Sequence, residues 1–417
     1  MPVIELAKNT PKEAVCLVFE KVNTGGVILN VFELATASFA MDDEFSLRED
    51  WDARRYRMRT KNSVLQDVDG DRFLQVITLL KTQEDRRQAL AEGKTGNQLP
   101  AIGCRKRDIL DLTLNDYRAW ADKVESGFIS AAEFLNSQYV FGKKNVPYAT
   151  QLVPLAALYV ELGDEARPGR ANGRLEQWYW TGVFGEVYGG PTETLFAQDL
   201  VQVASFVRDG TVPQMLREAT FIPERLVSLR TRQSAAYKGV FALQMKYQAK
   251  DWIVTTPLNL SVFHEKAIDI HHIFPAAWCD KNKIQNKIYN SIINKTPMDS
   301  TTNKRIGGRA PSIYLDTIRR NIPDSTTDGE LNSLLESHWA NPALLKDDDF
   351  VQFFVDRGQR MLDSIGKAMG RNLGDGKDVF RNALTDARIA GISDMYVEDE
   401  PEDPEIGEDE QAAITAA

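Results

Sequence analysis

Two adjacent histidines in a short apolar segment are the clearest chemical signal in the sequence. The chain has four histidines in 417 residues, and His271 and His272 lie between Ile270 and Ile273. The β-branched neighbours predict a short strand, and Pro275 predicts where it stops. Neutral imidazole titrates near the working pH of most enzymes, so this pair points to proton-transfer chemistry.

A second short strand and a short helix follow the histidines. The apolar segment at 292–297 predicts the strand. Asp299 or Ser300 is expected to cap a helix that contains Asn303, and the glycine pair at 307–308 is expected to end it. The predicted order is strand, connection, strand and short helix, which is a ββα arrangement.

This arrangement resembles the ββα-metal motif of HNH nucleases. The resemblance covers residues 269–275, 294–297 and 303–308. It implies that His271 is a metal ligand and that His272 is the general base. Phosphodiester hydrolysis needs such a base to deprotonate water, and a Lewis acid to stabilise charge on the phosphoryl oxygens.

The same resemblance assigns the two asparagines. Asn294 matches the structural asparagine that ties the second strand to the first loop, and we group it with His272 as a catalytic residue. Asn303 takes the last metal-ligand position, which is often His in HNH proteins, so the implied metal is Mg²⁺ or Mn²⁺ rather than zinc. Neighbouring strand residues point to opposite faces, so both histidines can serve one site only if the strand is irregular near Pro275.

Phosphate-binding residues are expected in the same region. Residues 281–320 contain nine Lys and Arg residues against two Asp residues, a local positive charge suited to phosphates. We expect Lys304, Arg305 and Arg309 to hold the phosphates that flank the cut. The alternative is that the two histidines are ordinary polar residues of a structural ββα unit.

The charge of the whole chain does not exclude nucleic acid. Ten acidic residues between 394 and 410 account for the formal charge of −10, and we expect this tail to be disordered. No apolar stretch is long enough for a membrane span, and the first residues lack a signal-peptide pattern. Cys16, Cys104 and Cys279 form no C-x-x-C pair. We therefore expect a soluble, cytoplasmic protein without a membrane partner.

Most of the remaining sequence predicts amphipathic helices. Trp120, Val124 and Phe128 recur every four residues, for example. The aromatic cluster at 178–188 is interpreted as packing between helices rather than as a surface that stacks on a flipped base. The predicted fold is multidomain and mainly α, with a small ββα-metal (HNH) module. Its parts are helical residues 1–100, a helical middle domain at 101–255, the HNH module at 256–320, C-terminal helices at 321–393 and the acidic tail at 394–417.

A wider resemblance spans most of the chain up to about residue 390. Residues 18–27, together with Glu33 and Leu34, resemble the C-terminal part of the ParB-like (DUF262) domain of GmrSD-type restriction enzymes. Residues 174–200 and 311–315 match the same architecture, which ends in a DUF1524-like HNH domain. The resemblance implies a modification-dependent, anti-phage nuclease, in which the ParB-like domain hydrolyses nucleotide and the HNH-like domain cuts DNA.

One departure from that family limits the expected activity. The Asp-Gly-Gln-Gln-Arg nucleotide motif is absent, and no Walker-type loop replaces it. We therefore expect no NTP hydrolysis by this chain alone, and a truncated form or a split system whose partner chain carries the motif.

The leading hypothesis is a metal-dependent DNA endonuclease, with a homodimer expected if both strands are cut. A catalytically silent DNA-binding or regulatory subunit is the alternative from a different class. A nuclease that acts on RNA is the third reading, because both substrates offer the same phosphate chemistry.

Overall fold

The protein is mainly helical in the computed structural model, as the sequence predicts, and the described residues contain one two-stranded antiparallel sheet. The ParB-like segment at 18–27, Cys16 and the acidic tail at 394–417 fall outside the described residues. The structure describes residues 30–40, 45–166, 169–252, 258, 268–321 and 328–385.

A helical body precedes the sheet. Short 3-10 turns connect several of its helices, at Ser63–Asp67, Lys143–Asn145 and Ala149–Gln151 among others. Its helices are α1 (Val31–Phe39), α2 (Leu47–Lys61), α3 (Gly70–Ala91), α4 (Lys106–Leu110), α5 (Leu114–Ser137), α6 (Leu152–Leu162), α7 (Arg170–Phe184), α8 (Glu193–Asp209), α9 (Gln214–Glu218), α10 (Pro223–Ser228) and α11 (Ala235–Lys246).

The sheet and its connections come next, followed by the C-terminal helices. The elements in this half are β1 (Ile268–His272), α12 (Ala276–Lys281), α13 (Asn286–Tyr289), β2 (Lys295–Asp299), α14 (Ser300–Ile306), α15 (Pro311–Asn321), α16 (Asp328–Ser337), α17 (Pro342–Lys346), α18 (Phe350–Ala368) and α19 (Lys377–Ala383). Every helix in the described part of the chain is too short or too polar to cross a lipid bilayer.

Local capping signals set several helix ends. The side chain of Asn30 accepts a hydrogen bond from the Glu33 backbone at 2.9 Å and begins α1. Asp299 caps α14 by accepting from the Thr301 backbone at 2.8 Å, and Gly307, with φ of 56°, ends it. The cap and end predicted for the helix that holds Asn303 are therefore confirmed.

The aromatic cluster of α7 is part of the core. Trp178 and Trp180 are buried, and each indole N–H has a buried acceptor. Trp178 Nε1 donates to Asp199 Oδ1 at 3.2 Å, and Trp180 Nε1 donates to Gln138 Oε1 at 3.0 Å. Since these rings have no free face, the interpretation as packing between helices is confirmed.

The two strands pair with His271 opposite Thr296 and His272 opposite Lys295. The second strand begins later than the sequence predicts, because Ile292–Asn294 forms a 3-10 turn instead of strand. Ile292 and Ile293 are fully buried. These apolar residues pack a turn into the core and do not alternate with polar residues as in a half-buried strand.

The C-terminal helices hold β2 through two buried polar residues. His338, at the end of α16, has Nδ1 2.7 Å from Thr296 Oγ1 and Nε2 2.6 Å from the carbonyl of Lys250. Arg357, on α18, donates through Nε to the carbonyl of His338 at 3.1 Å, and through Nη1 to the carbonyl of Ile293. The sheet is therefore fastened to the C-terminal helices.

Candidate active site

The two histidines lie at the end of β1, where the strand gives way to a bend. His271 is buried and His272 is half-buried. The regular strand stops at His272, and Ile273 and Phe274 form the bend before Pro275. Both histidines therefore lie in the regularly paired part of β1, where neighbouring side chains point to opposite faces, and the irregularity begins only after the pair.

A chain of side-chain hydrogen bonds fixes the tautomer of His272. Asn290 donates through Nδ2 to Asn286 Oδ1 at 2.7 Å, which turns its own Oδ1 toward the imidazole. His272 Nε2 lies 2.8 Å from this oxygen and must carry the proton that it donates. Burial, with the nearby charge of Lys295, lowers the pKa of His272 to about 4. The ring is therefore neutral at pH 7, with its lone pair on Nδ1.

His271 is also a neutral imidazole, with a buried nitrogen that has no partner. Burial first, and then the charge of Arg232, lowers its pKa to about 4, while Asp299 acts in the opposite direction. Its Nε2 is buried and has no hydrogen-bond partner. Buried polar atoms are nearly always satisfied, so this nitrogen is open to a hydrogen-bond partner, as donor or acceptor according to the tautomer, or to a cation.

Asn294 holds the bend that follows the histidines. Its Oδ1 accepts from the Phe274 backbone N–H at 2.9 Å, and its Nδ2 donates to the carbonyls of Phe274 at 2.9 Å and Tyr289 at 3.0 Å. Its own carbonyl accepts from the Ile273 N–H at 2.8 Å. Asn294 is fully buried, so its side chain positions the backbone of the bend.

Asn303 lies on α14, directly after β2. The helix contacts both strands of the sheet, and the Asn303 side chain is half-buried. The fold therefore brings the helix that carries Asn303 against the strand that carries His271.

The three basic residues expected at phosphates have different surroundings. Lys304 and Arg305, in the last turn of α14, are exposed. Arg309 instead caps the helix end, with Nε donating to the carbonyl of Ile306 at 3.0 Å and Nη2 to that of Arg305. The guanidinium of Arg309 is thus already engaged within its own segment.

The sequence interpretation missed the basic loop between α10 and α11. This loop is fastened to β2 and to the turn before it, because Lys295 Nζ donates to the carbonyl of Arg230 at 2.9 Å and the Ile292 N–H donates to Leu229 at 2.7 Å. It thereby carries Arg232 close enough for its charge to act on His271. In the sequence, this loop is marked only by Arg230 and Arg232, which lie far from the histidines.

His271 and Asn303 are the two candidate ligands for the metal ion that the resemblance implies. The described residues contain no group of three or more His, Cys, Asp or Glu side chains that could hold a metal ion. His271 offers a neutral, unpartnered nitrogen, and Asn303 offers an amide oxygen. One imidazole nitrogen and one amide oxygen would leave most of the coordination shell of a divalent cation to water and substrate oxygens.

Comparisons with known proteins give little functional information. No protein-family model matches the chain. The chain is 25% identical, over 362 residues, to a protein of Methanocaldococcus jannaschii named "Uncharacterized protein MJ0686". The match covers 82% of this chain and 57% of that protein, so the chain spans little more than half the length of its relative.

Proposed function

We propose that this protein is a divalent-metal-dependent endonuclease of the HNH type that hydrolyses DNA phosphodiester bonds. The observation that carries the proposal is the pair of neutral imidazoles at the end of β1. One has its tautomer fixed by Asn290, and the other has a buried nitrogen without a partner. Two strands followed by a helix that holds Asn303 are the surroundings an HNH centre requires.

His272 is the general base in this mechanism. Its Nδ1 takes a proton from water as the water oxygen forms a bond to phosphorus. The P–O3′ bond breaks, and the leaving oxygen takes a proton from solvent. The imidazolium that forms keeps its Nε2–H on Asn290 Oδ1, and that hydrogen bond favours the charged ring.

His271 and Asn303 would hold the metal ion. When bound, Mg²⁺ or Mn²⁺ would stabilise negative charge on the phosphoryl and leaving oxygens. Lys304 and Arg305 are exposed in the last turn of the helix that holds Asn303 and would contact flanking phosphates, and Arg232 adds a charge from the loop after α10.

The biological role we propose is restriction of modified or phage DNA. It rests on the resemblance of this chain to GmrSD-type enzymes, which also implies a partner chain with the missing nucleotide motif. Modified phage DNA, unmodified plasmid and RNA should therefore be offered to the protein side by side, because cleavage of RNA alone would replace DNA as the substrate.

A nicking assay tests the proposal. Supercoiled plasmid is incubated with the full chain in Mg²⁺, Mn²⁺ or chelator, and nicking is expected only with metal. His272→Ala and His271→Ala should each abolish it, whereas Asn282→Ala, which removes an exposed side chain bonded to Trp278, should not. Persistent nicking by the His272→Ala protein would overturn the assignment of the base.

A catalytically silent DNA-binding or regulatory subunit is the second candidate. It is favoured by one observation, which is that the described residues contain no three-residue group of the usual metal-binding types. This candidate predicts DNA binding that chelator does not change, and no cleavage with any metal.

A further inference from the structure

The arginines on the two sides of helix α2 differ in whether carboxylates pair with them. On the side that faces α5, Arg54 Nη1 lies 2.8 Å from Glu125 Oε2, and its Nε lies 2.7 Å from Asp50. Arg57 Nε lies 2.7 Å from Glu125 as well. The positive charges on this side are therefore compensated by carboxylates.

Arg55 and Arg59 lie one turn apart on the other flank. Within the described part of the chain, neither is at salt-bridge distance from a carboxylate, and the Nε of each is buried without a hydrogen-bond partner. Burial and the charge of Arg55 lower the pKa of Arg59, while Asp67 acts in the opposite direction. Two like charges are thus held together with little compensation.

Tyr56 lies beside these arginines and points to solvent. It is 73% exposed, more than any other large apolar side chain described. At 100° per residue, it lies on the side of α2 opposite the buried Trp51 and Met58. This contrasts with the aromatic rings of α7, which have no free face.

Two lysines extend this surface toward the candidate active site, and of these Lys143 is paired with Asp67, with Nζ 3.4 Å from Oδ1. Lys143 and Lys144 lie in a 3-10 turn that is held next to the end of α2, because Ser63 Oγ donates to the carbonyl of Phe141 at 2.8 Å. Phe141 belongs to a small hydrophobic cluster against which Ile270 of β1 packs. The segment with the lysines therefore leads directly to the strand that carries the histidines.

We propose that Arg55, Tyr56, Arg59, Lys143 and Lys144 form a binding surface for a nucleic-acid strand with at least one unpaired base. Guanidinium groups match phosphate oxygens in a two-bond geometry, and an exposed aromatic ring stacks on a base of any type. An acidic protein would also match these charges, so polyglutamate is included in the test as a competitor. The choice of nucleic acid rests on the proposed nuclease function.

The test measures binding without cleavage. Full-length His272→Ala protein is titrated, in chelator, into a short labelled single strand and into the matching duplex over a range of salt concentrations. The double variant Arg55→Glu/Arg59→Glu should weaken binding of both at least tenfold. It should also reduce the salt dependence by about 0.7 to 0.9 in log–log slope for each phosphate that the variant no longer neutralises. Tyr56→Ala should weaken the single strand about tenfold and the duplex much less.

The matched control is Arg107→Glu/Arg381→Glu, which reverses two charges on exposed side chains elsewhere (69% and 53% exposed). Circular dichroism and the melting temperature show whether each variant is folded. Equal losses in the test and control double variants would overturn the proposal, as would an unchanged single-strand affinity for Tyr56→Ala. Displacement of the strand by an equal charge concentration of polyglutamate would assign the surface to an acidic protein instead.

The same experiments separate this proposal from the nuclease proposal. A protein that binds DNA through this surface but never nicks it leaves the binding surface standing and ends the nuclease assignment. A protein that nicks DNA equally well with Arg55 and Arg59 reversed overturns only the binding surface.

Discussion

The Nε2 of His272 lies 2.8 Å from the Oδ1 of Asn290, and the two residues are 18 positions apart in the sequence. Asn290 directly follows α13, in the connection between the two strands. The contact decides which imidazole nitrogen is free to take a proton, because the amide oxygen can only accept. The connection between the strands thus has a direct effect on the chemistry of β1.

Removing Asn290 tests the importance of this contact. Asn290→Ala should lower the nicking rate by about 10- to 100-fold, the usual cost of losing a group that orients a functional histidine. The metal requirement should not change. Nicking rates and melting temperatures should be compared with those of Asn282→Ala, and equal rates in the two variants would show that orientation of His272 is unimportant.

Arg232 should affect His271 electrostatically. The Arg232→Ala variant removes a positive charge that disfavours the imidazolium, so the pKa of His271 should rise from about 4. It should stay below the ordinary value of 6.5, because burial is the larger cause. An NMR titration of the histidines measures this without any activity, and Gln233→Ala is the control. An unchanged pKa of His271 would show that the charge of Arg232 does not act on this ring.

Arg357 should be one of the most sensitive positions for stability. Arg357→Ala leaves the carbonyls of Ile293 and His338 without their buried donor and also opens a cavity, so we expect a loss of about 3–5 kcal/mol in the free energy of unfolding. Urea denaturation measures it. Arg360→Ala removes an arginine that is 40% exposed and paired with Asp356, and should cost less than about 1 kcal/mol. Similar losses in both would contradict the structure.

His338 should make the fold sensitive to acid. Burial lowers its pKa to about 3 in the folded state, against 6.5 for an ordinary histidine. Between these values the unfolded chain binds the extra proton, so the stability present above pH 6.5 is lost as the pH falls toward 3. In His338→Gln, the loss of unfolding free energy between pH 7 and pH 5 should be smaller by about 2 kcal/mol. Urea denaturation at both values checks this, and identical losses in the two proteins would refute it.

The sequence predicts features that depend on neighbouring residues. The helix that begins after Asp299 and the stop at Gly307 depend on side chains and dihedral angles within a few positions, so local rules identify them. The strand predicted at 292–297 is placed wrongly at its start, because a short buried turn and a buried strand have the same apolar composition.

The surroundings of the histidines depend on distant contacts and could not be predicted. Arg357 reaches the carbonyl of Ile293 across 64 positions, and Lys295 reaches Arg230 across 65. No periodicity or capping rule links such pairs. The ββα order could be predicted from its own segment, whereas Asn290 and Arg232 are identified only by the folded geometry.

The contacts that support β2 and the turn before it come from segments that precede and follow them in the sequence. The 3-10 turn at Ile292–Asn294 precedes this strand. It is held by Leu229, which is synthesised before it, and by Arg357, which is synthesised after it. A ribosome must therefore release the chain well beyond Arg357 before both supports are in place. A nascent or prematurely terminated polypeptide that lacks Arg357 would therefore hold this turn from one side only.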